Sequence, residues 1–209
     1  MSSSLYSTLP NLVLGFHGCD RSVAEKVISG KDRLKKSSNS YDWLGGGIYF
    51  WENNPSRALH FANILKDNPK RARVEIKHPA VIGAIIDLGY CFNLLDHENI
   101  KILKQGYDFL ISALKKANLP IPKNISGGDS RDLLLKKLDR AVIDFIHTYN
   151  DENNERPYDS VRAAYIEGDE VYPTAGFNDK NHIQICIRNP NCIKGHFLPL
   201  ERTKEYIVP

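Results

Sequence analysis

Cysteine is scarce in this chain. Cys19, Cys91, Cys186 and Cys192 are the four among 209 residues, too few and too scattered for a disulfide scaffold. An excess of one charge is lacking too. The 28 Lys and Arg against 25 Asp and Glu leave a net charge of +3, which permits an anionic partner without demanding one. No stretch reaches the roughly 20 apolar residues of a membrane span. The N-terminus, MSSSLYSTLP, has neither the basic start nor the apolar run of a secretory signal. No P-loop, G-x-G-x-x-G or G-x-S-x-G motif is present, nor any internal repeat. A hydrophobic content of 42% with 25% charged residues excludes a disordered or fibrous chain. The expectation is a single domain over residues 1–209, soluble and cytoplasmic, without a membrane partner.

Periodicity supplies the elements. Residues 12–17 (LVLGFH) read as a strand ending at Gly18, followed by a helix with capping-box spacing at Ser22 to Glu25 and an apolar face of Val23, Ala24, Val27 and Ile28. Residues 31–46 read as a loop finishing in Gly45-Gly46-Gly47, and Ile48 to Trp51 as a strand. Asn54 and Pro55 make a cap and first-turn pair for a helix with Ala58, Phe61, Ala62 and Leu65 inward. Residues 81–88 read as a buried strand. Helical spacing then recurs at Ile100, Leu103, Tyr107, Leu110 and Leu114, and at Leu134, Leu138, Ala141, Val142, Phe145 and Ile146. The breaker-rich 119–130 between them predicts a helical hairpin, inserted over residues 96–152. Strand-like segments return at 160–166, 182–188 and 192–198. Strands, a helical insert and strands again predict an α+β fold with a mixed or antiparallel sheet, not a regular wound βαβ fold.

Three short segments carry polar groups that plain core strands do not need: Phe16-His17-Gly18-Cys19, Gly47-Ile48-Tyr49-Phe50-Trp51, and His182-Ile183-Gln184-Ile185-Cys186, whose alternation puts His182, Gln184 and Cys186 on one face. In order and spacing they resemble the three motifs of the ADP-ribosyltransferases, in the diphtheria toxin-like branch that includes the poly(ADP-ribose) polymerases. That branch has His-Gly-Ser on a first strand, Gly-Ile-Tyr-Phe on a second with a Ser-x-x-Tyr helix after it, and a late strand opening with a catalytic glutamate.

The resemblance implies a split, two-sheet β core with flanking helices and an inserted helical hairpin. It also implies NAD⁺ as co-substrate and transfer of one ADP-ribose to a protein or nucleic-acid acceptor, with release of nicotinamide. By analogy, a toxin or defence role follows. His17 would bond the adenosine ribose, and the Gly18 backbone would hold the nicotinamide amide, where no side chain blocks close approach. Cys19 stands for the family serine. Tyr49 would stack on the nicotinamide, the second stacking aromatic falls at His60 with Phe61 beside it, and Ser56 or Arg57 would lie near the carboxamide or phosphates. The departure is Gln184, which stands where the family has glutamate. A carboxylate helps an oxocarbenium-like transition state by its charge and by gripping the ribose 2′-OH, whereas glutamine keeps a hydrogen bond and brings no charge. Polymer extension is therefore not expected. Glu167, Asp169 and Glu170, just upstream, are the candidates to supply the missing charge.

Other readings stand beside this one. Without a carboxylate the domain could be a non-catalytic NAD⁺ or ADP-ribose-binding module. Basic clusters at Lys31–Lys36 and residues 66–77 permit a nucleic-acid-binding domain, although neither cluster interleaves aromatics for stacking. His182, Cys186, Cys192 and His196 form a Cys/His set. His182 and Cys186, however, lie roughly 13 Å apart on a strand, too far for one metal.

Overall fold

The computed structural model describes residues 12–39, 42–72, 74–126 and 135–205. Expectations for residues 1–11, Arg73, residues 127–130 and Leu134 lie outside these. In chain order the elements are β1 (Val13–Asp20), α1 (Arg21–Ile28), β2 (Ile48–Glu52), α2 (Pro55–Asp67), β3 (Pro79–Ile86), β4 (Cys91–Asn93), α3 (His97–Lys116), β5 (Asn124–Ile125), β6 (Leu135–Lys136), α4 (Lys137–Glu152), β7 (Ser160–Tyr165), β8 (His182–Ile187) and β9 (Ile193–Phe197). Mixed α and β structure around a large mixed sheet is what the sequence predicts.

The caps show why two of these elements begin where they do. The Asn54 side chain accepts from the Arg57 N–H at 3.0 Å, with Pro55 at the first helical position. For α1 the capping residue is Asp20, two positions before the predicted Ser22. Its carboxylate accepts from Ser22 N and also from Lys77 N and His78 N at 2.9 and 2.8 Å. One buried carboxylate thus caps α1 and anchors the segment entering β3, a choice that only the tertiary fold offers. The His78 N–H, foremost among these donors, holds the Asp20 carboxyl far below the usual carboxylate range.

Seven strands form one sheet in the order β4-β7-β8-β2-β1-β3-β9. The sequence reading expects two sheets; hydrogen bonding instead runs across all seven strands. A seam marks the middle. β1 pairs with β3 from Val13 through Asp20, but β1 and β2 share only the Gly15–Glu52 and Phe16–Trp51 pairs before they part. β4 was not predicted, since three residues carry no readable period. It lies parallel to β7, and a parallel pair needs a long crossover. The helical insert between them provides it. In that insert α3 and α4 meet at Gly106, where a Cβ would stand 2.5 Å from Ile146 Cγ1, so the helices approach only because the side chain is missing.

One sheet face packs under α1, where Ala24 and Val27 meet Phe50, Ile82, Ile185 and Ile187. The opposite face is covered in two parts. Val142, Ile143 and Ile146 of α4 cover Phe92, Val161 and Cys186, and Ala58 of α2 covers Phe16 and Trp51. No helix among the described residues is long and apolar enough to cross a membrane.

His147 of α4 is 5% exposed, and neither ring nitrogen has a hydrogen-bond partner. Burial, with Arg188 nearby, pushes its pKa down to about 3. The unfolded chain binds a proton near pH 6.5 that the folded chain refuses, so this group makes stability fall as pH drops from about 6.5 towards 3. His147→Leu is expected to make the acid slope shallower by about 1.4 kcal/mol per pH unit within that window, read from urea midpoints across pH. An unchanged slope would show that the ring is not held neutral.

Candidate active site

The first two motifs meet at the seam. Where β1 and β2 part, the His17 ring lies on the Cys19 face of β1, edge-on to Phe50 at 5.9 Å, with Nδ1 reaching the Tyr49 backbone carbonyl oxygen at 2.8 Å. A carbonyl only accepts, so Nδ1 carries the proton and Nε2 keeps its lone pair. Burial lowers the His17 pKa, partly opposed by this bond, and the imidazole is neutral near pH 7. It therefore offers Nε2 as a hydrogen-bond acceptor.

Tyr49 is half-buried. Its hydroxyl donates to the Gly45 carbonyl at 2.9 Å and accepts from the Leu44 N–H at 3.0 Å. Burial raises its pKa well above the usual tyrosine value. The hydroxyl thus shapes the turn ahead of β2, with Gly45 at a φ of 82°, in the left-handed region glycine tolerates. At Gly47 a Cβ would stand 2.5 Å from Cys186 Sγ. Gly45 is therefore required by its backbone conformation and Gly47 by packing.

Gln184 sits opposite Trp51 in the β2–β8 register, on the face that Tyr49 and Cys186 also use. Its Oε1 accepts from the Trp43 indole N–H at 2.6 Å. That bond fixes the amide, and the NH₂ group, which has no partner among the described residues, points away as a donor. Around it runs an aromatic chain. Trp43 meets Tyr165 edge-on at 4.8 Å, Tyr165 stacks on His182 at 5.3 Å, and Trp51 contacts His182 at 6.1 Å and Phe61 at 5.0 Å. Lys136 Nζ lies 4.7 and 4.4 Å from the Trp43 and Tyr165 ring centres. Trp51 Nε1, His182 Nε2 and Arg57 Nε are buried here without partners, an unusual concentration of unmet donors and acceptors.

Among the three acidic candidates, Glu167 alone is brought here, pairing with Arg57 at 2.5 Å with both side chains under one fifth exposed. Arg57 also bonds His60 at 3.2 Å. Asp169 and Glu170 are exposed in the following loop, where Glu170 accepts from Thr174 N at 2.9 Å.

The other predicted residues are placed as follows. Cys19 is buried in the core under α1, its thiol pushed up to about 11 by burial, and it does not face the Tyr49–Gln184 side. Gly18 turns its missing side chain towards α2, where a Cβ would fall 2.1 Å from the Ala58 carbonyl oxygen; a helix, not open space, occupies that side. Ser56 and His60 are exposed on α2, whereas Phe61 packs inward on Trp51. Sequence reasoning missed Trp43 and Tyr165. One signal was available: the chain has two tryptophans, and both border Gln184.

Among known proteins, the chain is similar over 205 residues to an uncharacterized protein of Methanocaldococcus jannaschii, with 26% identity across 90% of this chain and 88% of that one. No protein-family model and no solved structure matches the chain.

Proposed function

We propose that this protein is a mono-ADP-ribosyltransferase that moves ADP-ribose from NAD⁺ to a macromolecular acceptor and releases nicotinamide. The observation that carries the reading is the seam contact between His17 and Tyr49, two motif residues 32 positions apart held 2.8 Å from each other. In this reading His17 Nε2 accepts a ribose hydroxyl, Tyr49 lines the nicotinamide side, and the Gln184 amide contacts the ribose near the reacting carbon. The C1′–nicotinamide bond breaks, the pair of electrons leaves with nicotinamide, and an acceptor nucleophile forms the new bond to C1′. The seam and the helical insert support the family resemblance. Four unpaired cysteines suit a reducing compartment such as the cytoplasm, and a toxin or defence role follows by analogy alone.

The Gln184 geometry favours a second reading, a binding module without turnover. Trp43 occupies the Gln184 oxygen, so the group presented is a neutral donor that cannot stabilise developing positive charge. Nicotinamide release by purified protein separates the two. Transfer predicts release that falls about 100-fold in Gln184→Ala and rises in Gln184→Glu. A binding module predicts a raised Tm with NAD⁺ and no release from either protein. Full turnover by Gln184→Ala would remove Gln184 from the site.

A further inference from the structure

The Lys31–Lys36 cluster takes no part in the proposed reaction, yet its last residue borders a cavity. Beyond the far end of β2 and β8, a cavity of about 300 Å³ is lined by Lys36, Gly46, Tyr158, Asp159 and Arg188 among others. Both cations are set by backbone. Lys36 precedes Ser37, which exchanges two hydrogen bonds with Gly47, at 2.7 and 3.1 Å, and Leu34, 8% exposed, pins the loop from below. Arg188 follows β8 directly, with its N–H on the Asp159 carbonyl at 2.9 Å.

Among the described residues, Arg188 forms no ion pair. Its Nη1 is buried without a hydrogen-bond partner. Asp151 and Asp144 act on it from α4, but among the described residues no carboxylate comes within ion-pair distance, and Asp144 instead pairs with Arg140 at 2.9 Å. His147 behind it has no polar contact to offer. Asp159 is the acidic group on the wall, and its oxygens are already taken, by Asn189 Nδ2 at 2.7 Å and Tyr90 N at 2.9 Å. A buried guanidinium nitrogen with no partner is costly, and an oxyanion is the ligand its planar fork fits.

We propose that this cavity binds a phosphate group, held between Arg188 and Lys36. The planar guanidinium fork suits the paired oxygens of a phosphate, and Lys36 lines the same cavity. The space equals about ten water volumes, more than a phosphate ion fills, which leaves room for a small group esterified to it.

The test uses the full chain and its melting temperature. Inorganic phosphate and glycerol phosphate are each compared with chloride at equal ionic strength. Both are expected to raise Tm, by about 3 °C at ten times Kd; a response to glycerol phosphate alone would assign the site to esters. Arg188→Gln should abolish the response. Lys36→Ala, on an exposed loop position that tolerates change, should weaken it about tenfold. Gln184→Ala should retain it, which separates this cavity from the dinucleotide site. No difference from chloride in the wild type, or a full response in either Arg188→Gln or Lys36→Ala, overturns the proposal.

Discussion

His17→Ala is expected to reduce nicotinamide release from NAD⁺ by 100-fold or more, roughly the cost of misplacing a bound substrate by about 1 Å. Two losses combine in this variant. The Nε2 acceptor disappears, and the Tyr49 carbonyl loses the donor that bridges the seam. The second loss is structural, on the order of 1 kcal/mol for one hydrogen bond, which lowers Tm by about 2–4 °C in a domain of this size. A purely structural histidine would produce that small drop in Tm with turnover in proportion to folded protein. The comparison therefore needs both readings on one preparation: release rate per folded molecule, and Tm. Unchanged release per folded molecule would defeat the proposed function, whatever happened to Tm.

Gly18→Ala is expected to damage the fold more than any single-methyl change elsewhere in the site. The new Cβ would stand 2.1 Å from the Ala58 carbonyl oxygen and 3.2 Å from Ala62 Cβ. The obstacle is helix backbone, which cannot turn aside as a flexible side chain does. Either α2 lifts from β1 or β1 bends towards the seam. Overpacking of this kind costs about 1–3 kcal/mol where side chains can adjust, and more where they cannot, so at least about 3 kcal/mol is expected. Gly176→Ala is the control, since a Cβ there meets nothing within 4 Å and should change stability by less than about 0.5 kcal/mol. Urea unfolding of both variants decides. A Gly18→Ala midpoint equal to that of Gly176→Ala would mean that α2 is not seated on β1 as described.

These two neighbours show how unevenly the site could be read beforehand. The His17-Gly18 pair stood out as polar and permissive residues at a strand end. The use found for Gly18, close packing against α2, is different from the ligand approach that the resemblance implied. Cys19, next in line, points by strand alternation to the face opposite Gly18, and so into the core under α1. Alternation was legible; which face would be buried under which helix was not. Gln184 was identified by its strand position, but its partner Trp43 lies 141 residues away. Arg57 and Glu167, 110 residues apart, show the same limit.

What the amino-acid sequence determined alone is what depends on neighbours along the chain: the strands and helices, from periods of two and 3.6, the Asn54–Pro55 helix start, and the hairpin marked by its breakers. Tertiary structure decided what depends on residues far apart. It joined seven of the strands into one sheet with a two-pair seam, laid three-residue β4 parallel to β7 across the helical insert, gave the cap of α1 to Asp20 because the Lys77 and His78 amides converge on it, and turned the Gln184 amide by way of a distant indole. Local periodicity says that a side chain alternates or recurs; only long-range packing, where burial, closure entropy and hydrogen-bond satisfaction are settled together, says what that side chain meets.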